Sequence, residues 1–146
     1  MNEAIHFIRA KIYTALNGNI TSNSSIVPIF NRVPSNQSSP SIWIYSLSTN
    51  EIDQNADKYM LEVITRIECV TKFSADVGGD LIANQLVSDC VSLLRTRSAG
   101  YFNLSSDNFN VYGSEVESIN YSQEDAEDGT YIKGIIELKN KVEQTN

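Results

Sequence analysis

Few residues of this 146-residue sequence combine a reactive side chain with a spacing that supports catalysis. His6 is the only histidine, and it lies beside the apolar stripe of a predicted helix, where a histidine is typically a surface or partly packed residue. The sequence contains no Gly-x-Ser-x-Gly motif, and a serine hydrolase would have to use His6 as its base. We therefore predict no catalytic residue, and we predict that the protein is not an enzyme.

The residues that could bind a metal or a cofactor are also poorly spaced. Cys69 and Cys90 lie in apolar periodic segments, which predicts two buried reduced thiols, and with one histidine they lack the spacing of a zinc site. Gly78-Gly79-Asp80 could form a phosphate-binding turn, but it lacks the lysine of a P-loop, and Asp80 occupies the place of the phosphate. A helix N-terminus is the favoured interpretation, and we predict neither a metal nor a cofactor.

The charge of the chain is strongly asymmetric. The formal net charge is -7; residues 1–73 contain six basic and six acidic residues, and residues 74–146 contain five basic and twelve acidic ones. Binding to phosphates requires basic side chains, so we predict no specific binding of nucleic acid. No apolar run approaches the ~20 residues of a membrane span, and no signal peptide is visible, so we expect a protein that does not enter a membrane and is cytoplasmic when made.

Six acidic residues lie on or next to one predicted hairpin and form the candidate site. The run Glu124, Asp125, Glu127 and Asp128 lacks the alternation and the distal glutamate of an EF-hand loop, so three interpretations of this run remain: a solvated hairpin tip, a divalent-cation site, or a surface that faces a partner. The six are Glu115, Glu117, Glu124, Asp125, Glu127 and Asp128.

Apolar periodicity predicts the elements that position these residues. Ile5, Ile8, Ile12 and Leu16 recur at helical spacing, and the segment 58–73 alternates between an apolar and a mixed face, as in a sheet covered on one side. The predicted elements are a helix over 3–17, a short extended piece over Ile26–Val33, strands Ser41–Leu47 and Lys58–Phe73, a helix from Gly78 to Gly100, and strands Phe109–Tyr121 and Thr130–Val142.

This order, α-β-β-β-α-β-β, predicts an α+β fold: a largely antiparallel β-sheet with two helices packed on one face, in a single domain over 1–146. Residues 48–57 and 122–129 are predicted to be loops that become ordered on assembly. Trp43 is predicted to anchor the core between the sheet and the helices. The predicted members of that core cluster are Trp43, Leu61, Val63, Ile67, Leu86, Cys90, Ile136 and Leu138.

The element order, together with several short segments, resembles the tail-completion proteins of tailed bacteriophages, also called tail terminators or head–tail joining proteins. The segments are ALNGN, the passage Arg32-Val33-Pro34 to Pro40-Ser41-Ile42, the long strand KYMLEVITRIECVTKF and the closing GTYIKGIIELK. The resemblance spans residues 4–142. Where the family usually carries an aromatic or a Pro-Tyr pair at the start of the strand, Ser41 intervenes here and Trp43 supplies the bulk.

The resemblance implies a structural virion protein that forms a homo-oligomeric ring, commonly of six subunits. Such a ring caps the tail and joins it to the portal or connector at the neck, and genome DNA passes through it. The implied location is the virion, reached from the host cytoplasm during assembly. The six acidic residues then become candidates for the lumen of the ring, with solubility of the outer surface as the alternative. Another head-closure or tail-assembly protein, or a small non-viral ligand-binding module, remains open as the alternative function.

Overall fold

The computed structural model describes residues 1–31, 39–53, 58–73, 81–96, 100–127 and 129–146. Within these residues the chain forms two helices, seven strands and one 3-10 turn. In chain order they are α1 (Ile5–Leu16), β1 (Thr21–Ser22), β2 (Ser25–Ile26), β3 (Ile29–Phe30), β4 (Ser41–Asp53), β5 (Met60–Phe73), α2 (Leu81–Leu94), the 3-10 turn (Ser105–Asp107), β6 (Phe109–Ala126) and β7 (Gly129–Gln144). The predicted α+β class and the predicted element order are confirmed.

Five strands form the main sheet in the order β3-β4-β5-β7-β6. All neighbours are antiparallel except the two-residue β3, which runs parallel to β4. Within the residues that the structure describes, the short β1 and β2 pair only with each other. Of the predicted extended piece over Ile26–Val33, the described residues contribute only Ile29 and Phe30 to the main sheet, and Arg32 and Val33 lie outside the described residues.

Both helices pack on the same face of this sheet because each carries an apolar stripe. Ile8, Ile12 and Leu16 of α1 are buried. Asn17 is the C-cap of this helix, and its backbone N–H donates a hydrogen bond to the carbonyl of Tyr13. Seven of the eight predicted core residues lie in one buried cluster between the helices and the sheet. These seven are Leu61, Val63, Ile67, Leu86, Cys90, Ile136 and Leu138.

The prediction that Trp43 belongs to this cluster is wrong. Trp43 is buried, with 3% of its surface exposed, but it lies on the opposite face of the sheet. Successive side chains of a strand point to opposite faces, and Ile42 and Ile44 on either side of Trp43 both face the helices. The apolar run Ile42-Trp43-Ile44 therefore contributes side chains to both faces of the sheet.

Several predicted boundaries also differ from the structure. Residues 48–53 and 122–126 were predicted as loop, but they continue β4 and β6, and this prediction is wrong for both segments. Each is held by backbone pairing to an inner strand, so strand structure arises there without an apolar pattern. Residues 54–57 and 128 lie outside the described residues, as does the predicted helix start at 78–80. The helix α2 ends at Leu94, six positions before the predicted stop at Gly100.

A glycine of β7 sets how closely α2 approaches the sheet. A Cβ atom on Gly134 would overlap the Cγ2 methyl of Val87 on α2 and would lie 3.2 Å from Cε1 of Tyr121 on β6. The helix therefore packs directly over the backbone of β7 at this point.

Candidate functional site: the charged face and the acidic tip

The face of the sheet opposite the helices carries most of the paired charges, and we call it the charged face. It arises from strand alternation: along β7, buried residues at even positions from 132 to 142 alternate with half-buried residues at odd positions. The charged residues that this alternation places on the face are Glu62, Arg66 and Glu68 of β5, with Lys133, Glu137, Lys139, Lys141 and Glu143 of β7.

Lys139 lies at the centre of a cluster of carboxylates on this face. Its Nζ is 3.2 Å from Oε1 of Glu115, 3.3 Å from Oε1 of Glu62 and 3.5 Å from Oε1 of Glu117. Hydrogen bonds to Glu115 and Glu62 raise the pKa of Lys139 above its ordinary value of 10.5, so it stays charged at neutral pH. The position between the carboxylates, where a cation would bind, is therefore occupied by the lysine ammonium.

A bulge in β6 determines what lies next to this cluster. Val116 pairs with Leu138 and Ser118 pairs with Glu137, so Glu117 is an extra residue in β6. The extra residue reverses the alternation beyond it, and Ile119 and Tyr121 consequently lie on the helix face of the sheet. Both remain exposed there, at 41% and 47%.

Two further ion pairs extend the charged face along β5 and β7. Nη2 of Arg66 is 3.0 Å from Oε1 of Glu137, and Nζ of Lys58 is 3.2 Å from Oε1 of Glu143. Pairs with this degree of exposure contribute little to stability. They do neutralise the acids locally, so the charged face presents a mosaic of both signs.

Trp43 forms a buried corner of the charged face. Its Nε1 donates a hydrogen bond to Oγ of Ser41 at 2.9 Å, and Nζ of Lys133 lies 5.0 Å from the ring centroid. The same lysine is 3.9 Å from Oε1 of Glu68. Burial and a hydrogen bond to Glu68 raise the pKa of Tyr45 above 10, which keeps its hydroxyl protonated. The corner is a packed polar cluster.

The structure divides the predicted acidic set into two groups. Glu115 and Glu117 belong to the Lys139 cluster, whereas Glu124, Asp125 and Glu127 are exposed at the end of the β6–β7 hairpin. We call these last three residues the acidic tip. Glu124 lies nine positions after Glu115 along β6, a distance of about 30 Å. Asp128 lies outside the described residues.

Hydrogen bonds order one carboxylate of the acidic tip. Oδ1 of Asp125 accepts from Oγ1 of Thr130 at 3.0 Å and from Nε2 of Gln123 at 3.4 Å. Among the residues that the structure describes, no three His, Cys, Asp or Glu side chains form a group that could hold a metal ion. The arrangement at the tip is that of an exposed anionic surface.

Two features of the structure were missed by the sequence analysis. The first is Lys139, whose three carboxylate partners come from β5 and β6 and depend on the strand order. The second is the contact between Cys69 and Cys90, whose Sγ atoms lie 3.7 Å apart in the core. The hydrogen bond between the thiols and their burial raise the pKa of Cys69 well above its ordinary value. Both cysteines are free and buried, as predicted.

His6 and a surface depression lie away from the Lys139 cluster and the acidic tip. His6 is exposed on α1, and its ring is 4.0 Å from that of Phe7. A surface depression of about 350 Å³ is lined by residues 101–103, 105 and 109–111, together with Thr145. It does not adjoin the Lys139 cluster, and its lining combines aromatic rings with hydroxyl and amide groups.

In the described part of the chain, neither helix has the length and the apolar character required to cross a membrane. Compared with models of protein families and with curated protein sequences, the chain matches none of them.

Proposed function

We propose that this chain is the subunit of a ring at the neck of a tailed bacteriophage, where it completes the tail and joins it to the portal or connector. The observation that carries the proposal is the order of the elements. The order α-β-β-β-α-β-β, with the long β5 and the terminal β6–β7 hairpin, is the order on which the resemblance to tail-completion proteins rests. The function of such a protein depends on complementary surfaces.

The acidic tip has a role in this proposal. DNA leaving a capsid slides through the neck, and basic residues in the channel would hold it through counterion release. An acidic lining repels the duplex within a Debye length of ~8 Å at physiological salt. The tip is better suited to this than Glu115 and Glu117, because Lys139 offsets part of their charge. We therefore narrow the proposed lumen residues to Glu124, Asp125 and Glu127.

The oligomeric state of the purified protein tests the ring. Sedimentation velocity over a range of concentrations should give a discrete oligomer of several subunits, and electron microscopy of the same sample should show rings. Particles assembled without the protein should yield filled heads that lack properly joined tails. Normal, infectious particles assembled in its absence would refute the proposal.

Charge reversal tests the lumen. Glu124→Lys, Asp125→Lys and Glu127→Lys should slow or block genome ejection from particles that are otherwise complete. The control reverses Asp89 on α2 and Asp107 on the 3-10 turn, which are not part of the acidic tip, and should leave ejection unchanged. Normal ejection from particles that contain the three lysines would leave the acidic tip with the alternative role of keeping the outer surface soluble.

A further inference from the structure

The main sheet has two free edges, one on each side. Among the described residues, β3 covers β4 only at Ile42 and Trp43, so β4 from Ile44 to Asp53 has no strand on its outer side. At the other edge, β7 is the one strand of the described part of the chain that pairs with β6. A free edge exposes backbone N–H and C=O groups that can pair with a strand of another chain.

The two free edges lie at the same level of the sheet. Following the pairs across β5 and β7, Ile44 is level with Ile119, and Asp53 is level with Asn110. Each edge therefore has a stretch of ten residues, 44–53 on β4 and 110–119 on β6. Both stretches run alongside the same eight levels of the inner strands β5 and β7. The bulges explain the extra two residues on each edge.

The bulges also match between the edges. In β4 they lie at Leu47 and Ile52, and in β6 they lie at Tyr112 and Glu117. A bulge on one edge alone would shift the register of any strand that paired along it. With two on each edge at nearly the same levels, the two stretches have equal residue counts. They can face each other one to one.

The direction of the strands suits this contact. Because every step from β4 to β6 is antiparallel, β4 and β6 run in opposite directions. If a second copy lies beside the first with its sheet in the same orientation, β6 of one copy meets β4 of the next as an antiparallel pair. This is a head-to-tail contact, the kind that closes into a ring when the rotation between copies allows it.

The side chains fit this register. If Ile44 of one copy pairs with Ile119 of the next, the antiparallel register that follows places apolar residues opposite each other at three levels. In each of these pairs, one apolar side chain is more than 40% exposed in the single chain and the other is buried or half-buried. The three pairs are Ile119 with Ile44, Val116 with Leu47, and Val111 with Ile52.

The distribution of charge also favours pairing of β6 with β4. The stretch from Ile44 to Asn50 has no charged residue, and neither edge stretch contains lysine, arginine or proline, the residues that commonly protect an edge. Glu115 lies level with Ser48, so it does not face an acid. Pairing β6 with a second β6 would instead bring two Glu115 and two Glu117 into one seam without a basic residue on either strand.

From these observations we infer that β6 of one copy adds to the free edge of β4 in the next copy, with residues 110–119 against 44–53. The inference deepens the proposed ring function and rests on it for the identity of the partner, a second copy of this chain. It assigns the contact between neighbours to backbone pairing at the sheet edges. The helices, the charged face and the acidic tip then remain available for other partners.

Engineered cysteines test the register. Thr49 and Ser114 are level with each other, and within one chain three strand spacings of about 4.8 Å separate them, or about 14 Å, too far for a disulfide. Thr49→Cys combined with Ser114→Cys should react with oxidised glutathione: two thiols exchange with it to form one disulfide between copies and two molecules of reduced glutathione. A non-reducing gel should then show a ladder of linked subunits.

The matched control places the second cysteine off register, as Thr49→Cys with Ser122→Cys, and should give no ladder. A lysine on the edge gives an independent test, because Ile119→Lys should dissociate the oligomer in sedimentation, whereas Ile26→Lys should not. Both isoleucines are exposed in the single chain, so both variants should fold and keep the circular dichroism spectrum of the parent, which separates loss of the contact from loss of the fold.

The outcomes separate this inference from the proposed function. An oligomeric parent whose Thr49/Ser114 cysteines do not link, or whose assembly survives Ile119→Lys, overturns the edge contact and leaves the ring function in place. The contact is also overturned if the parent stays monomeric at every concentration and the Thr49/Ser114 cysteine variant forms no link. The ring function is then judged by the assembly of particles without the protein.

Discussion

Replacing Gly134 by alanine tests how α2 is seated on the sheet. The added Cβ would overlap the Cγ2 methyl of Val87, and it would press on the ring of Tyr121 at 3.2 Å. Relieving the overlap requires α2 to move away from β7, and overpacking of this kind costs about 1–3 kcal/mol. For a protein of this size that corresponds to a fall in melting temperature of roughly 2–12 °C, which calorimetry or circular dichroism can measure.

A double-mutant cycle makes the test specific to the contact. Val87→Ala removes the overlapping methyl and, on its own, should cost about 1.6 kcal/mol for two buried methyl groups, plus a smaller cavity cost. In the Val87→Ala background, Gly134→Ala should then cost little, so the two changes should couple by about 1–3 kcal/mol. If Gly134→Ala costs the same in both backgrounds, the close approach of α2 to β7 is not what requires glycine at this position.

Three further predictions concern other parts of the fold. Trp43→Ala should lower the free energy of unfolding by about 3–5 kcal/mol, and Trp43→Phe by less, in urea titrations; a change within error would place Trp43 on the surface. Burial and their mutual contact should keep Cys69 and Cys90 unreactive toward iodoacetamide in the native protein, with both alkylated in urea; rapid native labelling would contradict this. Burial tends to raise the pKa of Glu3, but hydrogen bonds, including one from Thr49 at 2.7 Å, outweigh this and lower it below 4.5. The stability that the Glu3 carboxylate contributes is thus fully present above pH 4.5. It is lost as the pH falls through the lower pKa that this carboxyl has in the folded state. Because Glu3 is exposed, Glu3→Gln should cost under about 1 kcal/mol at pH 7 and almost nothing at pH 2.

The sequence was sufficient to predict the elements with strong periodicity. The stripe of Ile8, Ile12 and Leu16 predicts α1, and the alternation along β5 predicts both its strand structure and its helix-facing side. The sequence was insufficient where structure depends on a neighbouring strand. Residues 48–53 and 122–126 have no apolar pattern of their own, and they are strands because β5 and β7 supply the hydrogen bonds.

The candidate site was predictable only in part, for a related reason. The acidic residues of the hairpin are visible in the sequence as a cluster of like charges. Their division into an acidic tip and a group around Lys139 depends on the strand order and on the bulge at Glu117, neither of which leaves a local signal. The face occupied by Trp43 was mispredicted because size and hydrophobicity alone do not specify which side of a strand meets the helices.

The strand order has a consequence for synthesis of the protein on the ribosome. β7 follows every other described strand in the chain, yet it is an inner strand of the sheet, between β5 and β6. While β7 is still inside the exit tunnel, β5 has no partner on that side and β6 has no partner at all. Until β7 emerges, the nascent chain therefore carries β6 without a strand partner and β5 with β4 as its only described neighbour, and during this interval the exposed strands are open to aggregation or to capture by chaperones.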